Sequence, residues 1–229
     1  MTPSRRLRQA ALDDCTVILD LRRGDYILLD PIASAIWRGL TGPTATDATL
    51  TAALRGRFDV SENRLLAHID AFRRQCGAEG LLHEAETQAH ASPARRPLRK
   101  VVCSTLAAWL WLAGTERRLR RQGFARAYEM AVDRAPDVNG LADAGRLAQA
   151  EAAFARAENL FVSRTAPQDC LPRSLALHGF LRAMGLPAEH HIGCERHPFS
   201  AHAWVECGGR VILDVDRRAG LTALRALAA

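Results

Sequence analysis

Residues 84–100, EAETQAHASPARRPLRK, mix Pro, Ser, Gln and charge with no apolar period, which is the composition of a linker. The seam divides a 229-residue chain into two segments, each long enough for its own core. The expected organisation is a domain over 1–84, a linker over 85–100 and a domain over 101–229. An apolar fraction of 48% is enough for both cores. The longest apolar run, VVCSTLAAWLWLAG, is interrupted by Ser104 and Thr105 and falls short of the ~20 residues a membrane span needs. It reads as a buried helix, and no stable membrane insertion is expected. The opening MTPSRRLRQAALDDC has a basic start without an apolar region, so a cytoplasmic location is expected. The six cysteines form no CxxC pair and read as reduced thiols. The net charge of +6 comes almost wholly from Arg, because Lys100 is the single lysine. Such a balance suits nucleic acid, an acidic peptide or a membrane surface, but no aromatic-interleaved basic stripe supports nucleic acid.

In the first segment, CTVILDLRRGDYILLD is two apolar runs around Arg23-Gly24-Asp25, a hairpin signal. Pro31 then opens a helix in PIASAIWRGL, with Ile32, Ala35, Ile36 and Leu40 on one face. TDATLTAALRGRF and SENRLLAHIDAFRRQC predict two more helices, the second with Ser61 as N-cap and Gly77 and Gly80 at its close. Strands followed by three short helices describe a small winged-helix-like module.

The run Asp25-Tyr26-Ile27-Leu28-Leu29-Asp30-Pro31, with Ile36-Trp37, Phe58-Asp59-Val60 and Gly80-Leu81-Leu82, resembles the PqqD-like recognition domains of ribosomal-peptide (RiPP) biosynthesis. The resemblance implies that a precursor's leader peptide adds as a strand to the sheet edge beside the third helix. Tyr26, Ile27, Leu28 and Leu29, with Arg64, His68 and Phe72, are the candidate leader-binding residues.

The second segment begins with helices. LAAWLWLAGTERRLRRQGFARAYEMAV and AGRLAQAEAAFARAENLFVSR are rich in helix formers, with Trp109, Trp111, Leu119, Phe154, Leu160 and Phe161 expected in the core. CLPRSLALHGFLRAMG is a further helix, with Pro172 in its first turn and Gly185 as its stop. EHHIGC, AHAWVEC and RVILDV follow as strands. Helices and then an antiparallel sheet make an α+β pattern.

Alternation in AHAWVE places Ala201, Ala203 and Val205 on one face and His202, Trp204 and Glu206 on the other. A lone strand histidine is ordinarily structural. Here Cys170 stands at a helix start, where unpaired N–H groups and the helix dipole favour a thiolate. His202 follows in a strand and Asp214 in the next. A nucleophilic cysteine needs a base, and the base needs a third group to orient it. Among the other groups, His190, His191, Cys194 and His197 suggest zinc by composition, but His190 and Cys194 share a strand face that His191 does not, and no metal site or cofactor is expected. Gln168 is a candidate oxyanion donor, as is the Cys170 N–H, though Gln168 reads more simply as a helix cap. Asp169 reads as an N-cap, and Arg173 as an ion-pair partner or a substrate contact.

Cys170-Leu171, Arg173-Ser174-Leu175, Gly185, Ile192-Gly193, Pro198-Phe199, Ala201 through Glu206, Gly209 and Asp214 together resemble the transglutaminase-like leader peptidase of lasso-peptide biosynthesis, the B protein, in its fused form. Cys194 departs from the aliphatic residue usual in that family. The resemblance implies a papain/transglutaminase-like domain with helices packed on a small antiparallel sheet. It also implies a cysteine peptidase that cleaves the leader from a lasso precursor before macrolactam formation in antibiotic biosynthesis. Cys170 would be the nucleophile, His202 the base and Asp214 its orienter, with Trp204 walling the site. The implied partners are the precursor and an ATP-dependent lactam synthetase resembling asparagine synthetase. Two other readings remain open: an acyltransferase using an amine in place of water, and a winged-helix DNA-binding module with a non-catalytic second domain.

Register sets a condition on this triad. A two-residue turn at Gly208-Gly209 pairs Glu206 with Val211, sets His202 opposite Val215 and points Asp214 to the other face, which makes the triad geometry impossible. An odd connection, Cys207-Gly208-Gly209, pairs Glu206 with Arg210 and puts the two on one face. The sequence therefore predicts an odd connection, or a bulge in one strand, with Gly209 at positive φ.

Overall fold

The computed structural model describes residues 2–4, 6–42, 46–56, 61–83, 102–133, 143–161, 170–196, 199–214 and 220–226. The chain forms two compact units, Met1–His90 with Leu224–Ala229, and Ala91–Ala223. Residues 224–226, which form the end of the described chain, cluster with the first unit.

In the first unit, β1 (Thr2–Pro3), β2 (Leu7–Leu12), β3 (Cys15–Asp20) and β4 (Asp25–Leu29) precede α1 (Pro31–Thr41), α2 (Asp47–Arg55), α3 (Glu62–Ala78) and β5 (Leu82–His83). Strand β3 is buried along its whole length, because β2 and β4 flank it and helices cover a face. Strand β2, LRQAAL, has no β-branched or aromatic residue and so does not stand out in the sequence. Asp30 caps α1 by accepting from Ala33 N at 2.7 Å, just ahead of Pro31. Ser61 occupies the N-cap of α3 without a side-chain hydrogen bond. Ile18 and Leu29 of the sheet pack on Ile36, Trp37 and Leu40 of α1, Leu54 of α2 and Ile69 of α3. The Trp37 indole, fully buried, donates to Gln9 Oε1 at 2.8 Å, so its N–H is not left without a partner. The sheet runs β10-β2-β3-β4, where β10 (Arg225–Ala226) comes from the C-terminus. Strand β4 is thus an outer strand of this sheet. The sequence element Phe58-Asp59-Val60 lies outside the described residues.

The second unit contains α4 (Thr105–Tyr128), a π-helical turn (Glu129–Asp133), α5 (Ala144–Leu160), α6 (Cys170–Ala183), β6 (Ala188–Glu195), β7 (Ser200–Cys207), β8 (Arg210–Val211) and β9 (Thr222–Ala223). Its antiparallel sheet has the order β8-β7-β6-β9. Helix α6 is the centre of the domain: Leu175, Ala176, Leu177, Phe180 and Leu181 are all buried. Burial on every side is why its apolar residues follow no amphipathic stripe. Phe154 of α5, Leu112 of α4, and Val205 and Ile212 of the sheet side close the same core. Among the described residues, no helix is long and apolar enough to cross a membrane.

Three expected core residues are not in it. Leu119 is only half-buried and lies outside the cluster. Trp109 is 38% exposed and Leu160 69% exposed. Ala108, Leu112 and Thr115 set the buried face of α4 at helical spacing, and Trp109 falls off that face. It meets Phe161 edge-on instead, at 6.0 Å between ring centres. Leu160 ends α5, beyond its buried face. The third expected strand, RVILDV, is also cut to Arg210–Val211.

A polar inclusion sits in this core. His178 of α6 donates from Nδ1 to the Ala131 carbonyl of the π-helical turn at 2.7 Å, and its ring lies 5.9 Å from that of His190. His190 Nε2 is hydrogen-bonded to Ser174 Oγ at 3.0 Å, while its Nδ1 has no partner. Burial lowers the pKa of His178 from 6.5 to about 4 and holds that of His190 well below 6.5. Both folded-state values are depressed, so the unfolded chain binds protons that the folded chain refuses as the pH falls below 6.5. Stability is therefore full above that pH and declines towards pH 4, by about 1.4 kcal/mol per pH unit for each such group. Calorimetry from pH 7 to pH 5 is expected to show a falling Tm, with a shallower slope in His178→Phe. Equal slopes would remove His178 from the account.

Candidate active site

Cys170 is the first residue of α6, where backbone N–H groups lack helical partners and the dipole favours negative charge. Pro172 costs nothing there, since an N–H in the first turn has no carbonyl to meet. A further donor comes from the sheet: Ala203 N–H points at Cys170 Sγ, at 3.3 Å. Four thiols away from this helix start are buried. Burial pushes Cys76 and Cys194 up to about 11, and raises Cys207.

The residue before Ala203 is His202, and its Nε2–H donates to Asp214 Oδ2 at 3.0 Å. Both side chains are less than one-fifth exposed. This bond fixes the tautomer, with the proton on Nε2 and Nδ1 left unprotonated in the neutral ring. Trp204 lies nearly parallel to His202, with a 10° interplanar angle and 6.3 Å between centres. Its other neighbour is His191, at 5.5 Å and 19°. Trp204 Nε1–H donates to Glu206 Oε1 at 2.8 Å, so the expected His202–Trp204–Glu206 face is present and internally bonded.

The route by which Asp214 reaches His202 corrects the expectation. The connection is not odd. Glu206 pairs with Val211 and Cys207 with Arg210, a two-residue turn with Gly208 at φ 61° and Gly209 at φ 77°. Two positive φ values suit a tight hairpin whose twist matches its strands, and glycine adopts both without a Cβ clash. The same register continues to Ile212, whose N–H donates to the Val205 carbonyl at 2.9 Å. It then stops. Leu213 takes φ 53°, a left-handed conformation, and the chain leaves the ladder. Asp214 is consequently not in a strand, and its carboxylate swings to the His202 side. The break has a second effect. Antiparallel partners exchange hydrogen bonds at alternate residues, so after Val205 the next N–H facing this side is that of Ala203. Without a partner strand, that N–H serves the Cys170 sulfur. The break at one left-handed leucine thus accompanies both the approach of Asp214 to His202 and the turning of the Ala203 N–H to the Cys170 sulfur.

Arg173, one turn after Cys170, donates to Glu158 Oε1 at 2.5 Å and Oε2 at 3.1 Å, and to the Leu213 carbonyl. Its Nη1 lies 3.8 Å from Asp214 Oδ2. Glu158 and Leu213 carry no sequence signal for such roles. Glu158 sits among ordinary helix formers, and a leucine at positive φ cannot be anticipated as a glycine can. Gln168, Asp169 and His197 lie outside the described residues. His190 and Cys194 are held apart from any shared ligand: His190 faces Ser174, and Cys194 Sγ lies 4.0 Å from the Thr222 carbonyl. Among the described residues, no cluster has the makings of a metal site.

Two families match the chain: the transglutaminase-like superfamily over residues 109–226, and Coenzyme PQQ synthesis protein D (PqqD) over residues 15–82. A curated relative, the microcin J25-processing protein McjB of Escherichia coli, is 46% identical over 46 residues. That stretch spans 20% of this chain and 22% of the relative. A solved structure, TbiB1 in complex with the TbiA(beta) leader peptide, aligns over 38% of this chain and all of that one. It has 25% identity and a TM-score of 0.34. The superfamily match covers more than half of the chain, including Cys170, His202 and Asp214. The chain therefore belongs to the transglutaminase-like superfamily, with a match to PqqD ahead of that domain.

Proposed function

We propose that the chain is a cysteine peptidase that removes the leader from a lasso-peptide precursor. The observation that carries this reading is the convergence of Cys170, the Ala203 N–H and the His202–Asp214 pair in a transglutaminase-like domain. In this mechanism the Cys170 thiolate adds to the scissile carbonyl, and imidazolium Nδ1 gives its proton to the departing amine of the core peptide. The bond broken is the amide C–N and the bond formed is a thioester. Water then attacks the thioester with His202 as base, releasing the leader as a carboxylic acid and restoring the thiol. Asp214 keeps Nε2 protonated throughout and stabilises the imidazolium. The freed amine is the group that an ATP-dependent lactam synthetase would couple to an acidic side chain.

Leader capture is assigned to the first unit. Strand β4 is an outer strand of its sheet, whereas β10 lies along β2 at the opposite side. Tyr26 and Leu28 of β4 are exposed, Leu28 to 52%, while Ile27 and Leu29 turn towards the core. Arg64 and His68 of α3 are exposed and Phe72 is half-buried, so a strand added at β4 has both main-chain partners and side chains to read. Holding the leader raises the local concentration of the cut site at the thiol. Because β10 belongs to this unit, the test uses the intact protein. Titration of leader peptide into Leu28→Glu is expected to show at least roughly tenfold weaker binding, with Cys170 alkylation unchanged. Unaltered affinity would move the leader site away from β4.

A further inference from the structure

The carboxylate that orients His202 hangs on a backbone conformation that leucine disfavours. A left-handed non-glycine residue persists only where its surroundings hold it. At Leu213 (φ 53°) the side chain packs against the core, and the polar contact on its backbone is the Arg173 guanidinium, which donates to its carbonyl. The guanidinium is itself fixed, because Glu158 of α5 receives it through both carboxylate oxygens, at 2.5 and 3.1 Å. This fork geometry is specific to arginine. Its remaining edge faces Asp214 at 3.8 Å, a looser approach than the 3.0 Å from His202 to the same oxygen. Arg173 stands on α6, one turn from Cys170.

We propose that Arg173 is a positioning residue: it clamps Leu213 in the left-handed conformation that brings Asp214 to His202, and so ties the helix of the nucleophile to the loop of the orienting carboxylate. Glu158 is the anchor of that clamp. Among the described residues, the charged groups facing the His202–Asp214 pair include Arg173 from α6 and, through Arg173, Glu158 from α5, while the Cys170 sulfur meets the N–H of the neighbouring Ala203. His191 of β6 lies behind Trp204. Removing Arg173 frees Leu213 to relax, withdraws the carboxylate from Nε2 and destabilises the imidazolium. The thiol then reaches its anionic form at higher pH.

The inference rests on the peptidase reading for its purpose, but its test does not need a substrate. The rate of iodoacetamide alkylation at Cys170, resolved by peptide mass spectrometry on the full-length protein, is followed from pH 4 to pH 9. In Arg173→Ala the profile is expected to shift to higher pH, with the rate at pH 6 falling about tenfold. Arg173→Lys keeps a charge but cannot grip Glu158 and Leu213 together, and falls between the two. In Arg173→Ala/Leu213→Gly, glycine holds positive φ without a clamp, and the profile returns towards that of the wild type. If Arg173→Ala lowers Tm but leaves the profile in place, Arg173 is merely structural and the proposal fails. A shifted profile that Leu213→Gly does not restore would also overturn it. If the profiles behave as expected while the wild-type protein cleaves no precursor, the peptidase reading falls and the clamp stands.

Discussion

Cys170→Ala is expected to lower leader removal by at least ~10⁴-fold while changing leader affinity less than about twofold. The thiol is the only atom in the proposed pathway that becomes covalently bound to substrate, so its loss removes the mechanism and not merely an accelerant. Leader affinity survives because the proposed binding strand, β4, belongs to the other unit. The remaining cysteines supply the contrast. Cys194 and Cys207 are buried, and burial keeps both protonated, so Cys194→Ala and Cys207→Ala cost packing but retain turnover, as does Cys103→Ala. Cleavage that persists in Cys170→Ala would end the nucleophile assignment.

Asp214→Ala is expected to reduce kcat/KM by roughly 10³-fold, and Asp214→Asn by only about tenfold. Alanine leaves Nε2 without an acceptor, so the ring loses both its tautomer and the charge that stabilises the imidazolium. Asparagine has the same shape, and the outcome turns on which way its amide points. Arg173 Nη1 stands 3.8 Å from the oxygen that His202 already uses. A cation on that side favours the amide oxygen there, which keeps an acceptor on Nε2–H. Steady-state kinetics on both variants check this. An asparagine variant as impaired as the alanine variant would show that the negative charge, not the tautomer, is what Asp214 supplies.

The legible parts of this protein were those written in local chemistry. Pro31 after Asp30, the helix opening at Cys170, and the alternation from Ala201 to Glu206 each have a one-dimensional signature. Periodicity placed the helices of the second unit but not their exposed faces. Trp109 is large and apolar whether or not the face of α4 carrying it is covered. The connection between His202 and Asp214 was misread for a different reason. Counting residues assumes an unbroken ladder, and within that assumption the even Gly208-Gly209 turn forbids the pair. The structure keeps the even turn and breaks the ladder at Leu213, under the hold of an arginine 40 residues earlier. No local pattern encodes a contact at that separation. The pairing of β10 with β2 escaped notice likewise, since it joins the two ends of the chain.

The central claim is hydrolysis through a thioester on Cys170. The direct test is mass spectrometry of the full-length protein mixed with its precursor peptide, with part of the reaction quenched in acid. The expected products are a leader and a core whose masses add to that of the precursor plus one water, with the quenched protein carrying the leader mass less one water on the peptide that contains Cys170. A leader fragment coupled to an amine, an adduct on any other residue, or the same products from Cys170→Ala would contradict the account.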